Sequence, residues 1–184
     1  MSKTTNDYIA IYKSQLQQDD IQIAYKRLFE YLGSLKAYFQ NNSDQQWSLG
    51  NIAPGYMDYT YFSFFNQHLR NKKLRFGIVL NHRKMQFELW LMGQNAEIQK
   101  RYWNVLKSTK WNAGRNEIPK YSILEAVLVE APDFNDFDTL SLPEPLFALL
   151  SFSFFVRHIP ASLCNPRSHS HPCRLCRAFL PDAP

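Results

Sequence analysis

Two apolar runs of strand length lie end to end in the middle of the chain, Leu74-Arg75-Phe76-Gly77-Ile78-Val79-Leu80 and Met85-Gln86-Phe87-Glu88-Leu89-Trp90-Leu91, with Asn81-His82-Arg83-Lys84 between them. Two such runs joined by four polar residues predict a β-hairpin. Because side chains alternate across a strand, Leu74, Phe76, Ile78 and Leu80 share one face and Arg75, Gly77, Val79 and Asn81 the other. In the second run Met85, Phe87, Leu89 and Leu91 oppose Gln86, Glu88 and Trp90. The pattern calls for a sheet with one packed face and one mixed, solvent-facing side.

The segments before the hairpin supply the cover for the packed face. Tyr8, Ile9, Ile11, Tyr12 and Leu16 recur at helical spacing, with Asn6 or Asp7 as cap candidates. After the break at Gln17 to Asp20, a second helix carries Ile21, Ala24, Tyr25, Leu28, Phe29, Leu32, Leu35 and Phe39 along one stripe, capped by Asp19 or Asp20. The short link makes the two an antiparallel pair. Residues 41–55 read as a loop holding a short strand about Trp47 to Ile52, and Tyr56 to Phe62, aromatic and Thr-containing, as another strand. Beyond the hairpin, Asn95 can cap a helix bearing Ile98, Tyr102, Val105 and Leu106, and Ile123 to Val129 is a further strand that stops at Ala131-Pro132. The expected class is α+β: an N-terminal helical pair on a mainly antiparallel sheet, with a central hairpin and a following helix.

A length of 184 residues fits one domain with its own core, and 45% apolar content with 15% aromatic content fits a globular chain. Composition changes abruptly near Thr139. All 11 Lys, 10 Tyr, 4 Trp and 6 Gly precede it, and all 3 Cys follow it. The shift divides the chain into a domain over residues 1–138 and a Pro-, Cys- and Ser-rich tail over 139–184, for which a frameshift, a fusion or an altered reading frame is one explanation. The polar N-terminus lacks the apolar core of a signal peptide, and no run reaches the roughly 20 apolar residues of a membrane-spanning helix. A cytoplasmic protein without membrane association is expected, and the absence of thiols before Cys164 fits a reducing compartment.

Several stretches resemble a family of small, uncharacterised bacterial proteins classed as a domain of unknown function. They are Tyr8-Ile9-Ala10-Ile11-Tyr12-Lys13, Gly55-Tyr56-Met57-Asp58-Tyr59-Thr60-Tyr61-Phe62-Ser63-Phe64, Phe87-Glu88-Leu89-Trp90-Leu91-Met92-Gly93-Gln94-Asn95 and Tyr102-Trp103. The resemblance spans roughly residues 1–138 and implies one α+β domain in a bacterial cytosol, with no activity or functional residues to carry over. It also implies a further amphipathic, lysine-containing helix after Pro132-Asp133-Phe134, where this chain departs from the pattern.

No catalytic or cofactor motif stands out, so candidate sites come from residue types on the mixed face. Asp58, His82 and Glu88 are the acid and base candidates; with Arg75 and Lys84 nearby they suggest metal-assisted hydrolysis or nuclease-like chemistry. The Asp and Glu-x-Lys pattern of such nucleases is not met, since Leu89 and Trp90 follow Glu88. Ligand-binding candidates are Arg75, Lys84, Trp90 and Tyr102, because rings interleaved with cations stack bases and contact phosphates. Helical and strand spacing also places several of these rings in the core. A net charge of +5 permits a nucleic-acid partner. In the tail His169, His171, Cys173 and Cys176 have a zinc-like spacing, but no second Cys-x-x-Cys pair accompanies them. These features favour a non-enzymatic binding or interaction module with a protein or nucleic-acid partner and no cofactor, ahead of a hydrolase.

Overall fold

A computed structural model describes residues 2–43, 47–109 and 112–136. Helix α1 (Thr5–Leu16) and helix α2 (Asp20–Asn42) are followed by strands β1 (Ser48–Ala53) and β2 (Tyr59–Phe65), the short helix α3 (Gln67–Asn71), the hairpin β3 (Leu74–Asn81) and β4 (Gln86–Gly93), helix α4 (Ala96–Leu106) and strand β5 (Leu124–Val129). The strands form one antiparallel sheet in the order β1-β2-β3-β4-β5. Chain neighbours are also sheet neighbours throughout, so every connection is short or a single helical excursion.

The hairpin has the register that the sequence pattern requires: Ile78 pairs with Leu89 and Phe76 with Leu91, while Phe62 and Phe64 of β2 oppose Ile78 and Phe76. These side chains form one buried layer with Leu32, Leu35 and Phe39 of α2 and Ile98, Tyr102 and Leu106 of α4. Phe39 meets Phe64 and Phe62 with ring centroids 4.8 and 6.3 Å apart. The helical pair therefore packs on the sheet through α2; α1 contributes no buried residue. Its start is fixed locally. Thr4 and Asp7 exchange hydrogen bonds, Thr4 N to Asp7 Oδ2 at 2.7 Å and Asp7 N to Thr4 Oγ1 at 3.3 Å, so Thr4 is the cap and Asp7 its reciprocal partner. Asp19 precedes α2 in the left-handed region, without a side-chain cap bond, and Asp20 stands in the first turn, where its charge complements the helix dipole.

Three local readings change. The strand expected from Tyr56 to Phe62 runs instead from Tyr59 to Phe65, because Asp58 Oδ1 accepts from the N–H groups of Tyr56 (3.0 Å) and Tyr59 (2.8 Å) and closes a turn over 55–58. Gly55 makes that turn possible: its φ is +62°, and a Cβ there would lie 1.7 Å from the Tyr59 carbonyl oxygen. Met85 is not a strand residue; it ends the hairpin turn with φ +47° and is exposed. The second face is also not a solvent-facing side: Val79, Glu88, Trp90 and Met92 on it are all buried. Gly77 gives Met92 room, since a Cβ there would meet Met92 Cε at 2.6 Å. Part of the cover is the segment before β5, where Tyr121 sits edge-on to Tyr59 at 6.2 Å and Arg115 pairs with Glu125 at 2.8 Å.

No helix of the described residues is long and apolar enough to cross a membrane.

Candidate functional site

The acid and base candidates divide between the two faces of the sheet. His82 leaves the end of β3 on the α2 side, where its Nε2 lies 2.8 Å from Thr60 Oγ1 and its ring 5.8 Å from that of Tyr25. Thr60 has one hydroxyl proton and donates it to the Pro54 carbonyl at 3.1 Å, so His82 Nε2 must be the donor in their contact. Tyr25 donates to the same carbonyl, which ties α2, the end of β1, β2 and the hairpin turn together. His82 is thus half-buried and bonded, not the solvated turn residue that its polar surroundings suggest. Glu88 faces the other way, with Trp90 and Asn81, and the sheet separates it from His82.

Burial pulls the His82 pKa below its ordinary 6.5, and the Asp58 carboxylate offsets only part of that effect. For Asp58, slight burial raises the pKa, yet the Tyr56 and Tyr59 N–H groups and His82 bring it below 3.8 overall. The folded state therefore binds the His82 proton less readily than the unfolded chain does. This stability is full above pH 6.5 and is lost as pH falls through 6.5 and then through the lower folded value; Asp58 adds a further loss only below its ordinary 3.8. Denaturant midpoints at pH 7.5 and pH 5.5 are expected to fall further for the wild type than for His82→Gln. Equal falls would show that His82 does not contribute.

Glu88 is 4% exposed and has no cationic partner among the described residues. Its Oε1 accepts from Asn81 Nδ2 at 3.0 Å and from Gln86 Nε2, and its Oε2 from Trp90 Nε1 at 2.7 Å. Both oxygens are thus engaged by neutral donors, an arrangement that suits a fixed buried carboxylate better than a proton-transfer group. Asp58, likewise, serves its own turn. The described residues contain no group of three or more His, Cys, Asp or Glu gathered as metal ligands. His169, His171, Cys173 and Cys176 lie outside the described residues.

Among the ligand candidates, Tyr102 is part of the core and Trp90 is buried against Val79 and Glu88. Lys84 is exposed in the hairpin turn, where its N–H donates to Asn81 Oδ1 at 3.3 Å. Arg75 lines a cavity. That cavity measures about 390 Å³ and lies where β2 ends, β3 begins and β4 ends, bounded by Phe65, Arg70, Lys73, Leu74, Arg75 and Gln94. Among the described residues, the three charged ones around it are cations, and no carboxylate pairs with any of them. Arg75 Nε, like Arg101 Nε, is shielded from solvent and has no hydrogen-bond partner among the described residues.

Two backbone features hold these walls. Asn66 caps α3 by accepting from Leu69 N at 3.0 Å, and the helix ends as Lys73 N donates to Arg70 O at 3.0 Å, with Lys73 itself at φ +57°. Gln94 N then donates to the Lys73 carbonyl at 2.9 Å, joining the end of β4 to the turn that enters β3. Arg70 lies over the Phe65 ring at 5.9 Å from its centroid. Sequence reasoning singled out Arg75 and missed Arg70, Lys73, Phe65 and Gln94 as site residues. The available signal was density: Arg70, Lys72, Lys73 and Arg75 put four cations within six residues at the entry to the central strand.

A five-stranded antiparallel meander with its helices on one face, and a basic pocket at one end of the sheet, defines a small α+β domain. The chain belongs to the family described as Domain of unknown function (DUF7000), which matches residues 5–143. No curated protein and no solved structure matches it.

Proposed function

We propose that the protein is a non-enzymatic binding module of the cytosol and that its ligand is an anion held in the pocket of Arg70, Lys73 and Arg75. The reading also assigns this function to a domain ending near residue 138. One observation carries it: among the described residues, every charged side chain lining the cavity is a cation, and no carboxylate pairs with any of them. An anion bound there gives these cations an acceptor, and a charge-assisted hydrogen bond contributes about 1.5–3 kcal/mol.

The test is calorimetric titration with inorganic phosphate and with sulfate at about 50 mM salt, where exposed charges are only partly screened. The expected result is saturable binding with Kd on the order of 1 mM or tighter, equivalent to about 4 kcal/mol. Arg75→Gln is expected to weaken it at least about tenfold, since a charge-assisted hydrogen bond contributes about 1.5–3 kcal/mol. Lys84→Gln, at the opposite end of the hairpin, is expected to leave it unchanged. No binding by the wild type, or an equal loss in both variants, would refute the assignment.

A further inference from the structure

We infer that the anion this pocket takes is the dianionic phosphate of a small phosphate monoester, an inference that rests on the anion-binding reading above. Three features lead there. First, the number of cations: a monocarboxylate is balanced by one, whereas Arg70, Lys73 and Arg75 approach from the end of α3, the following turn and the first residues of β3. A terminal phosphate has three oxygens and close to two charges, so each cation has its own acceptor. Second, the size: about 390 Å³ is more than a bare ion needs and lies at the lower end of the range for small-molecule pockets, about 300–1,000 Å³. The ligand therefore has a body beyond its charged group. Third, the remaining walls are chemically different from the cationic ones. Phe65 and Leu74 offer apolar surface, and the Gln94 side chain offers both a donor and an acceptor, which suits a hydroxylated or ring-bearing body.

The guanidinium of Arg75, which lines the cavity, suits phosphate by its chemistry as well: it is planar and presents paired donors. The Gln94 to Lys73 backbone bond holds the α3–β3 turn, so the backbone that carries these cations is in place before the ligand arrives.

Methyl phosphate and methyl sulfate provide the test, because they share a shape and differ in charge. Methyl phosphate is a dianion above its second pKa of about 6, while methyl sulfate remains a monoanion. At pH 7.5 and constant ionic strength, the full chain is expected to bind methyl phosphate at least about tenfold more tightly, as one further charge-assisted hydrogen bond would give. At pH 5.5 that ratio is expected to fall about fourfold as the ligand takes up its proton. Among the described residues no carboxylate lines the cavity, and because both ligands meet the same protein groups at each pH, the ratio isolates the ligand.

Ribose 5-phosphate and adenosine monophosphate are then compared with ribose and adenosine, to separate a sugar-phosphate body from a nucleotide one. Binding by the phosphates and not by their parent nucleoside or sugar is expected. Arg75→Lys keeps the charge and loses the fork; it is expected to weaken methyl phosphate about tenfold with an unchanged unfolding midpoint, which guards against a misfolded Arg75→Gln. Equal affinity for methyl phosphate, methyl sulfate and malonate, or a ratio that ignores pH, would overturn the phosphate assignment and leave the anion reading standing. Absence of binding by every anion would overturn both.

Discussion

Replacing Phe62 by Ala is expected to lower the unfolding free energy by about 3–5 kcal/mol, the usual cost of removing a buried aromatic ring. Phe62 is 0% exposed, lies opposite Ile78 in the central ladder and stands 6.3 Å from the Phe39 ring of α2. It therefore joins the helix to the middle of the sheet, and the cavity left by its loss cannot be filled from solvent. Domains of this size are stable by only about 5–15 kcal/mol, so the variant is expected to be partly unfolded at 37 °C. Phe62→Leu should recover most of the loss, because volume is largely kept. Chemical denaturation monitored by far-UV circular dichroism measures both. A loss below about 1 kcal/mol for the Ala variant would mean that α2 does not pack on β2 as described.

The second large effect concerns Glu88. Glu88→Ala removes the one acceptor shared by Asn81, Gln86 and Trp90 on a buried face, leaving three donors unsatisfied at about 1–3 kcal/mol each, with some relief by rearrangement. A destabilisation of about 3 kcal/mol or more is expected. Glu88→Gln keeps an acceptor oxygen but brings its own N–H₂ towards these donors, so an intermediate loss is expected. The Trp90 indole N–H is a direct reporter: its proton resonance should move upfield in Glu88→Ala as its bond to Oε2 is lost. An unchanged midpoint in both variants would show that the network is not structural and would reopen a chemical role for Glu88.

That network also shows where sequence reading loses its grip. Periodicity made the hairpin, α2, α4 and β5 legible, since each carries an apolar pattern of its own period. The start of β2 was not, because aromatic residues recur at short intervals all the way from Tyr56 to Phe65 and the side chain of Asp58 decides where the turn ends. Glu88 reads as a solvent-side residue because alternation assigns a face and not the cover over it. Its burial depends on distant groups: Tyr59 from β2 and Tyr121, Arg115 and Glu125 from the segment around β5.

The pocket is a further step removed from sequence. Phe65, Arg70, Lys73, Arg75 and Gln94 come from four consecutive elements and meet only because the meander brings the end of β2, the start of β3 and the end of β4 to one edge. No spacing rule links Gln94 to Lys73; their backbone hydrogen bond is a product of the β3–β4 register, which sets Leu74 opposite Gly93. Arg75 was visible as a cation on the second face. What distinguished it from Lys84 was the surroundings, a walled cavity in one case and solvent in the other.

The most direct measurement is the side-chain Nε–Hε resonance of Arg75 in a ¹⁵N-labelled sample, followed as inorganic phosphate is added at constant ionic strength. The Arg75 side chain lines the cavity, so a saturable shift is expected, shared by the backbone amides of Lys73 and Gln94 and absent from Lys84. A resonance that stays in place while phosphate reaches tens of millimolar, or shifts spread evenly over every surface cation, would contradict a specific anion site between Arg70, Lys73 and Arg75.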